Sequence, residues 1–350
     1  ERVRMSTTTV GAALAGSQEP ASSSGSLKPQ GWLLGPVLDS LFIASLAWPL
    51  VALFAMLAAE SAAYQTFGYL LAYFVIMPHR WITLPLVFGD RQRIAQRPLA
   101  YFGVLGLVIL SCAVVRLSMA SLALLVAVDY LWNAWHFAGQ HSGIHRIYGR
   151  MARGAAVGPE WEKWLLRGFF LFVLLRLTGS FIPQGSQPWL DAVAAAGPYL
   201  AWLDFVALAI PIWFLVREWR RYQRKSLGGV LYLTSICLLY CTLLLAVRFD
   251  LRPLILGCAV ATTLVHSSEY LAIVSWHAPK NKALQESALF KRLLSHWLLT
   301  LLTFMSLFVI TTSLLEGPYL ATWLWINLNV SFLHYAYDGM IWKRPKPKPA

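Results

Sequence analysis

The chain is 350 residues long, 58% hydrophobic and only 13% charged, with a mean hydropathy of +0.57. These figures exclude an ordinary soluble domain and point to a polytopic membrane protein. The net charge of +13 reads as basic cytoplasmic loops attracted to anionic membrane lipid, and no nucleic-acid partner is expected.

Residues 1–32 are rich in Ser, Thr, Ala and Gly, including Ser22-Ser23-Ser24-Gly25-Ser26, and read as a disordered tail. The apolar stretch from Val10 to Ala15 is too short, and its flanks too poor in charge, for a cleavable signal peptide; Met5 is a candidate start. Residues 33–342 then read as an all-α transmembrane helix bundle. Apolar spans fall at roughly 34–59, 65–88, 99–117, 119–138, 162–183, 198–216, 228–247, 252–276, 294–315 and 319–341, about ten in all. Only Arg116 and Ser118 separate the third from the fourth. Basic clusters follow every second span: Arg91, Arg93 and Arg97; Arg146, Arg150 and Arg153; Arg217 to Lys225; Lys280 to Arg292; and the tail from Lys343. The alternate loops carry Glu60, Asp191 and Glu316, with Arg116 and the turn from Arg248 to Arg252 as exceptions. The positive-inside rule then puts both termini in the cytoplasm, in what reads as a bacterial inner (plasma) membrane. Residues 343–350 form a basic, Pro-stiffened tail suited to anionic headgroups.

The four cysteines, Cys112, Cys237, Cys241 and Cys258, all fall within spans and read as small buried apolar residues, not a disulfide framework. Gly197-Pro198-Tyr199-Leu200-Ala201-Trp202-Leu203 echoes Gly317-Pro318-Tyr319-Leu320-Ala321-Thr322-Trp323-Leu324, but Pro-started helices with interfacial aromatics explain this without a duplication.

The histidines carry the functional signal. There are 8, most of them in or beside apolar runs: Pro78-His79, Trp135-His136-Phe137, Gln140-His141, His266-Ser267-Ser268-Glu269 and His334-Tyr335-Ala336-Tyr337-Asp338. Ionisable side chains are costly inside a bilayer and are rarely there without a partner or a task. The second, fourth, eighth and tenth spans all run inward, so their histidines share one depth in the cytoplasmic leaflet. Helical spacing adds neighbours. His79 shares a face with Thr83, with Asp90 three turns on; His136 pairs with Gln140, and His141 with His145. His266, Glu269, Tyr270, Ile273 and His277 form one stripe, and His334 lies one turn before Asp338.

Imidazoles mixed with carboxylates suit non-haem iron, which keeps open positions for O2; in helix-bundle di-iron proteins such ligands project inward from neighbouring helices. His79, His136, His141, His266, Glu269, His334 and Asp338 are therefore the candidate ligands, for one ion or two. Thr83, Asp90, Asp129, Asn133, Gln140, His145 and Tyr270 are candidates to orient them. Each has a plainer alternative: His79 capping carbonyls in a kinked span, His136 bonded to Asn133, His334 and Asp338 as a structural pair. His277 and His296 flank a basic loop and read as solvated, and Asp204 reads as structural.

Pro78-His79 followed by an acid, Trp135-His136-Phe137, His266-Ser267 in a late span, and His334 shortly before Asp338 occur in the same order as in the Brp/Blh-type membrane carotenoid oxygenases, which this chain resembles over residues 70–342. The resemblance implies a polytopic non-haem iron protein that uses O2 to split a carotenoid. The chain departs from the family pattern at three places. The acid after Pro78-His79 is the distant Asp90, with Thr83 nearer; His141 stands where the family has Asp; Tyr270, with Glu269 beside it, replaces a second His. The expectation is an integral-membrane, O2-dependent oxidoreductase acting on a lipophilic molecule such as a carotenoid, isoprenoid or acyl chain, with a membrane redox partner supplying electrons. The alternatives are a haem-binding electron carrier with two axial histidines and a transporter or accessory subunit with a structural polar cluster.

Overall fold

Apolar, β-branched and aromatic runs of this length satisfy their backbone hydrogen bonds within lipid only as helices or closed barrels. The computed structural model describes residues 31–119, 122–153, 158–181, 195, 197, 199–222, 226–315 and 319–341, and among these there are helices and no strand. Most of the disordered N-terminal tail and all of the basic C-terminal tail expected from the sequence lie outside the described residues.

Six helices are long and apolar enough to cross a membrane: α1 (Pro36–Ala58), α2 (Ala62–Gly89), α4 (Pro98–Ser118), α8 (Leu227–Arg248), α9 (Arg252–Lys280) and α12 (Trp297–Leu315). The short α3 (Arg91–Gln96) follows α2. The other four expected spans are also helical, as α5 (Ala123–Arg153), α6 (Glu160–Phe181), α7 (Leu203–Arg220) and α13 (Leu320–Ile341). What sets them apart is polarity: α5 carries Asp129, Gln140 and three histidines, and α13 carries Asn327, Asn329, His334 and Asp338. Two short helices, α10 (Lys282–Gln285) and α11 (Ala288–Ser295), join α9 to α12.

Several boundaries differ from the sequence reading. α4 and α5 are distinct, because Met119 is extended (φ −121°, ψ 130°) and ends α4. α5 runs to Arg153, well past the expected end near 138, since nothing after His136 removes a backbone donor. His141 and His145 therefore sit inside a helix. α1 is interrupted at Ser45, whose φ of 47° is left-handed, after a π-helical turn over Asp39–Ile43. The fully buried Asp39 carboxylate holds this break by accepting from Leu33 N (2.7 Å), Leu34 N (2.8 Å) and the Tyr148 hydroxyl (2.7 Å).

The largest core cluster joins α5, α6, α8 and α9 through Phe169, Phe170, Ile236, Leu239, Leu243 and Ala261, all essentially inaccessible. By contrast α1, α4 and α12 present Leu57, Leu99, Leu117 and Leu314 outward, as lipid-facing helices do. Arg176 of α6 grips Asp204 of α7 with two bonds of 2.8 and 2.9 Å, both side chains buried; this is the structural role expected of Asp204. Where α9 crosses α1, a Cβ at Gly257 would stand 2.5 Å from the Ala52 carbonyl oxygen, so the helices touch backbone to backbone. At Gly103 of α4 a Cβ would meet nothing within 4 Å. Gly257→Val should therefore destabilise the protein by about 1–3 kcal/mol, and Gly103→Val should be close to neutral. Thermal unfolding of both variants in detergent checks the contrast; equal midpoints would contradict the close crossing.

Candidate metal centre

Four helices bring one histidine each to a common point. On α2 a π-helical turn over Leu71–Ile76 precedes Pro78. Single π-turns recur at functional sites, and proline removes a backbone donor. The helix continues nonetheless and leaves His79 only 2% exposed. On α9 the expected stripe is real, with His266, Glu269, Tyr270 and Ile273 all buried. α13 contributes His334 and, one turn later, Asp338, both buried. α5 contributes His136, whose side chain is 9% exposed.

The rings pack mainly edge to face. Centroids are 5.4 Å apart for His79 and His266, 5.2 Å for His79 and His334, 4.9 Å for His136 and His266, and 4.6 Å for His136 and His334. Phe137 stacks on the His266 ring at 3.6 Å and fixes its plane. His79, His266 and His334 each offer a donor atom within 4.8 Å of the others, and so do His136, His334 and Asp338. The two triads share His334, whose Nε2 stands 3.1 Å from His136 Nε2.

The polar atoms at this point are incompletely satisfied. Both ring nitrogens of His266 lack a hydrogen-bond partner; no side chain bonds to the His79 ring, which lies against the backbone carbonyls of Val75 and Ile76, the capping contact raised as its plainer alternative. A buried polar group left in this state costs about 1–3 kcal/mol. Metal–imidazole nitrogen bonds of about 2.0–2.1 Å set ligand nitrogens about 3–4 Å apart, so each triad could close on an ion with sub-ångström to ångström shifts. The imidazoles pack against each other and against Phe137.

A hydrogen-bonded chain supports the cluster. Thr83 Oγ1 lies 2.7 Å from His334 Nδ1 and 2.6 Å from the Tyr270 hydroxyl. Tyr270 donates to Asp338 Oδ1 at 2.8 Å, and Asp338 Oδ2 faces His136 Nε2 at 3.8 Å. Thr83 and Tyr270 thus sit where orienting groups were expected. They fix His334 so that its Nε2 points at the shared position.

His141 and Glu269 form a separate pair. His141 Nδ1 lies 3.1 Å from Glu269 Oε2, with both side chains inaccessible. Tyr232 and Tyr240 of α8 bracket the imidazole at 3.2 Å from Nδ1 and 2.9 Å from Nε2. Gln140, expected beside His136, instead donates to Glu269 Oε2 and to the His266 carbonyl, both at 2.9 Å. The His141 ring centroid is 6.4 Å from that of His266, and both its nitrogens are engaged. The pair therefore lies beside the four-imidazole cluster and braces it through Gln140.

Other expected neighbours lie elsewhere. Asp90 caps α3 by accepting from Arg93 N at 3.0 Å, with Asn281 Nδ2 at 3.3 Å; a carboxylate this near a helix start is drawn to its unpaired N–H groups. His145 packs on Phe214 (5.9 Å) and lines a cleft with Arg146, Glu162 and Arg217, one turn beyond His141 and not with it. His277 is partly buried, and His296 is exposed as expected. The cysteines join no metal-ligating group among the described residues.

The sequence reading missed Arg80, which points from α2 toward Ser331 (2.5 Å) and Asp129 (3.8 Å). The rule used for the histidines, a charge inside an apolar span, would have found it. Tyr335 donates to Asp129 Oδ1 at 3.0 Å, so Asp129 serves Arg80 and Tyr335, and not an imidazole directly. The tyrosines around His141 had no local signal, because they come from another helix.

Comparison with protein-family models, curated proteins and solved structures finds no match to this chain. Removing one partner of a buried hydrogen-bonded pair leaves the other unsatisfied, at a cost of about 1–3 kcal/mol. His141→Leu alone should lower stability by that amount, and His141→Leu with Glu269→Leu should recover at least half. Denaturant titrations of both variants decide this; a double variant no better than the single one would show that Glu269 does not depend on His141.

Proposed function

We propose that the four-histidine cluster holds a transition metal, most simply non-haem iron as one or two ions, and that the protein is an integral-membrane oxidoreductase using O2 on a lipophilic molecule such as a carotenoid, isoprenoid or acyl chain. The observation that carries this reading is the convergence of His79, His136, His266, His334 and Asp338 from four helices, with both nitrogens of His266 unpaired in the interior. Imidazole–carboxylate sites with open positions suit Fe(II) and O2. The wider topology belongs to the same proposal: about ten spans, cytoplasmic termini, and a cluster in the inner leaflet, as loop charge suggests.

When bound, the metal would supply O2 chemistry. The chain's own residues do the rest. Asp338 offsets positive charge at the His136 side, while Thr83 and Tyr270 hold its geometry. Phe137 and the buried walls of α9 and α13 exclude water, which protects reactive oxygen chemistry and suits an apolar substrate. A lipophilic molecule would approach from the lipid at His136, the most accessible of the four imidazoles.

Metal analysis of protein purified in detergent tests the proposal. Iron should be present near stoichiometry, and His266→Ala and His334→Ala should each lose most of it while the helical signal persists. Full metal retention in both variants, or a metal-free parent protein after loading with Fe(II), would refute the ligand assignment. An intense haem absorption band would transfer the site to electron carriage.

A further inference from the structure

We propose that Tyr240 is a redox-active tyrosine, giving one electron to the four-histidine cluster while its hydroxyl proton passes to His141. The inference deepens the preceding reading and rests on it for the acceptor, a one-electron oxidant arising at the cluster when O2 is used. Glu269, His141 and Tyr240 stand in line on α9, α5 and α8. The Tyr240 hydroxyl lies 2.9 Å from His141 Nε2, and His141 Nδ1 lies 3.1 Å from Glu269 Oε2. The carboxylate decides where the ring proton sits. An anionic oxygen only accepts, so Nδ1 carries the hydrogen and Nε2 keeps the lone pair that takes the Tyr240 hydroxyl. Tyr232, 3.2 Å from Nδ1, turns its own proton to the His141 carbonyl at 3.4 Å. Tyr240 is fully buried and packs on Phe170 at 4.7 Å. The His141 ring centroid is 6.4 Å from that of His266, a short step for an electron through packed side chains.

A phenol that loses an electron becomes a strong acid, and inside an apolar bundle it needs a base already in contact. Tyr240 would lose one electron to the oxidant and its O–H proton to His141 Nε2, which leaves a neutral phenoxyl radical. The new imidazolium would face Glu269. Among the described residues Glu269 has no other ion-pair partner, so the arriving proton turns a solitary buried carboxylate into a paired one, as a low dielectric favours. A reduced one-electron carrier in the membrane would return the electron, and the proton would go back along the same hydrogen bond. Other buried tyrosines reach carboxylates that are less free to take a proton. Asp39, the acceptor of Tyr148, already holds two backbone N–H groups. Asp129, the acceptor of Tyr335, faces Arg80. Asp338, the acceptor of Tyr270, belongs to the proposed ligand set.

The test uses the full-length protein in detergent, stripped of metal by a chelator, with photogenerated ruthenium(III) trisbipyridyl as the one-electron oxidant. Samples are frozen after increasing delays and their radicals followed by electron paramagnetic resonance. A long-lived tyrosyl signal should appear. Tyr240→Phe, which removes one hydroxyl, should lower it about tenfold, and Tyr148→Phe should leave it unchanged. Glu269→Gln keeps Tyr240 but takes the charge from beside the imidazolium, so the radical should decay about tenfold faster, the worth of a hydrogen bond to a charged group. Absence of a long-lived tyrosyl radical in the unaltered protein overturns the proposal, as does an undiminished signal in Tyr240→Phe, a variant conservative enough to fold. An unchanged lifetime in Glu269→Gln would also overturn it, because the proton would then not rest on the His141–Glu269 pair. Metal content separates the two ideas. Bound iron without a Tyr240 radical would refute only this inference, and a Tyr240 radical in protein that takes up no metal would refute only the metal reading.

Discussion

The interior of this protein is organised by the desolvation of four imidazoles. Each lies on a different helix, and each must give up water on insertion. An apolar bundle of the same length could pack these helices in several registers. Polar groups that need partners at one depth remove most of that freedom, since a one-turn slip of α13 would take His334 away from Thr83 and Asp338 away from Tyr270 together. The cluster therefore restricts the register of the bundle as much as the bundle builds the cluster, because buried polar groups are costly away from their partners.

Two adjacent polar networks show what satisfaction looks like in this environment. Around His141 both ring nitrogens are engaged, with Glu269, Tyr232 and Tyr240 closing the shell. Around His79 and His266 the rings are equally buried, yet no side chain bonds to their nitrogens. The same chain thus supplies hydroxyls to one histidine and withholds them from two others a few ångströms away. A structural histidine gains from the first arrangement, whereas a ligand requires the second, because a nitrogen occupied by a hydroxyl is not available to an ion. The proposed metal reading rests on this contrast more than on the count of histidines.

The helical architecture was legible because periodicity and apolar length respond to the same physics as the bundle. All ten expected spans coincide with helices, although only six are apolar enough to qualify as membrane-spanning by composition. His79, His136, His266 and His334 were legible as a group, because charge inside an apolar run is rare and spacing placed them on corresponding segments. The division of labour within the group was not. His141 and Glu269 looked identical in kind to the other candidates, and only the tyrosines of α8, more than ninety residues away from His141, occupy both nitrogens of His141, while Glu269 Oε1 is left buried without a partner. Asp90 looked near His79 along one helix, but α2 ends at Gly89 and its carboxylate serves the next helix start. Arg80 was overlooked beside a more conspicuous histidine.

The shared histidine sets how the two triads can be used. His334 Nδ1 is held by Thr83 at 2.7 Å, so Nε2 is the nitrogen left for the interior. That nitrogen has one lone pair, and it is the corner common to both triads. A neutral imidazole therefore cannot complete both at once. Under the proposed metal reading, His79, His136, His266 and His334 would hold one ion with Asp338 balancing its charge, and a second would need donors beyond His136 and Asp338. The Thr83–Tyr270–Asp338 chain connects these alternatives: shifting Asp338 toward an ion pulls on Tyr270, and through Thr83 on the ring that holds the shared nitrogen. Occupancy on one side of His334 is thus mechanically coupled to ligand geometry on the other.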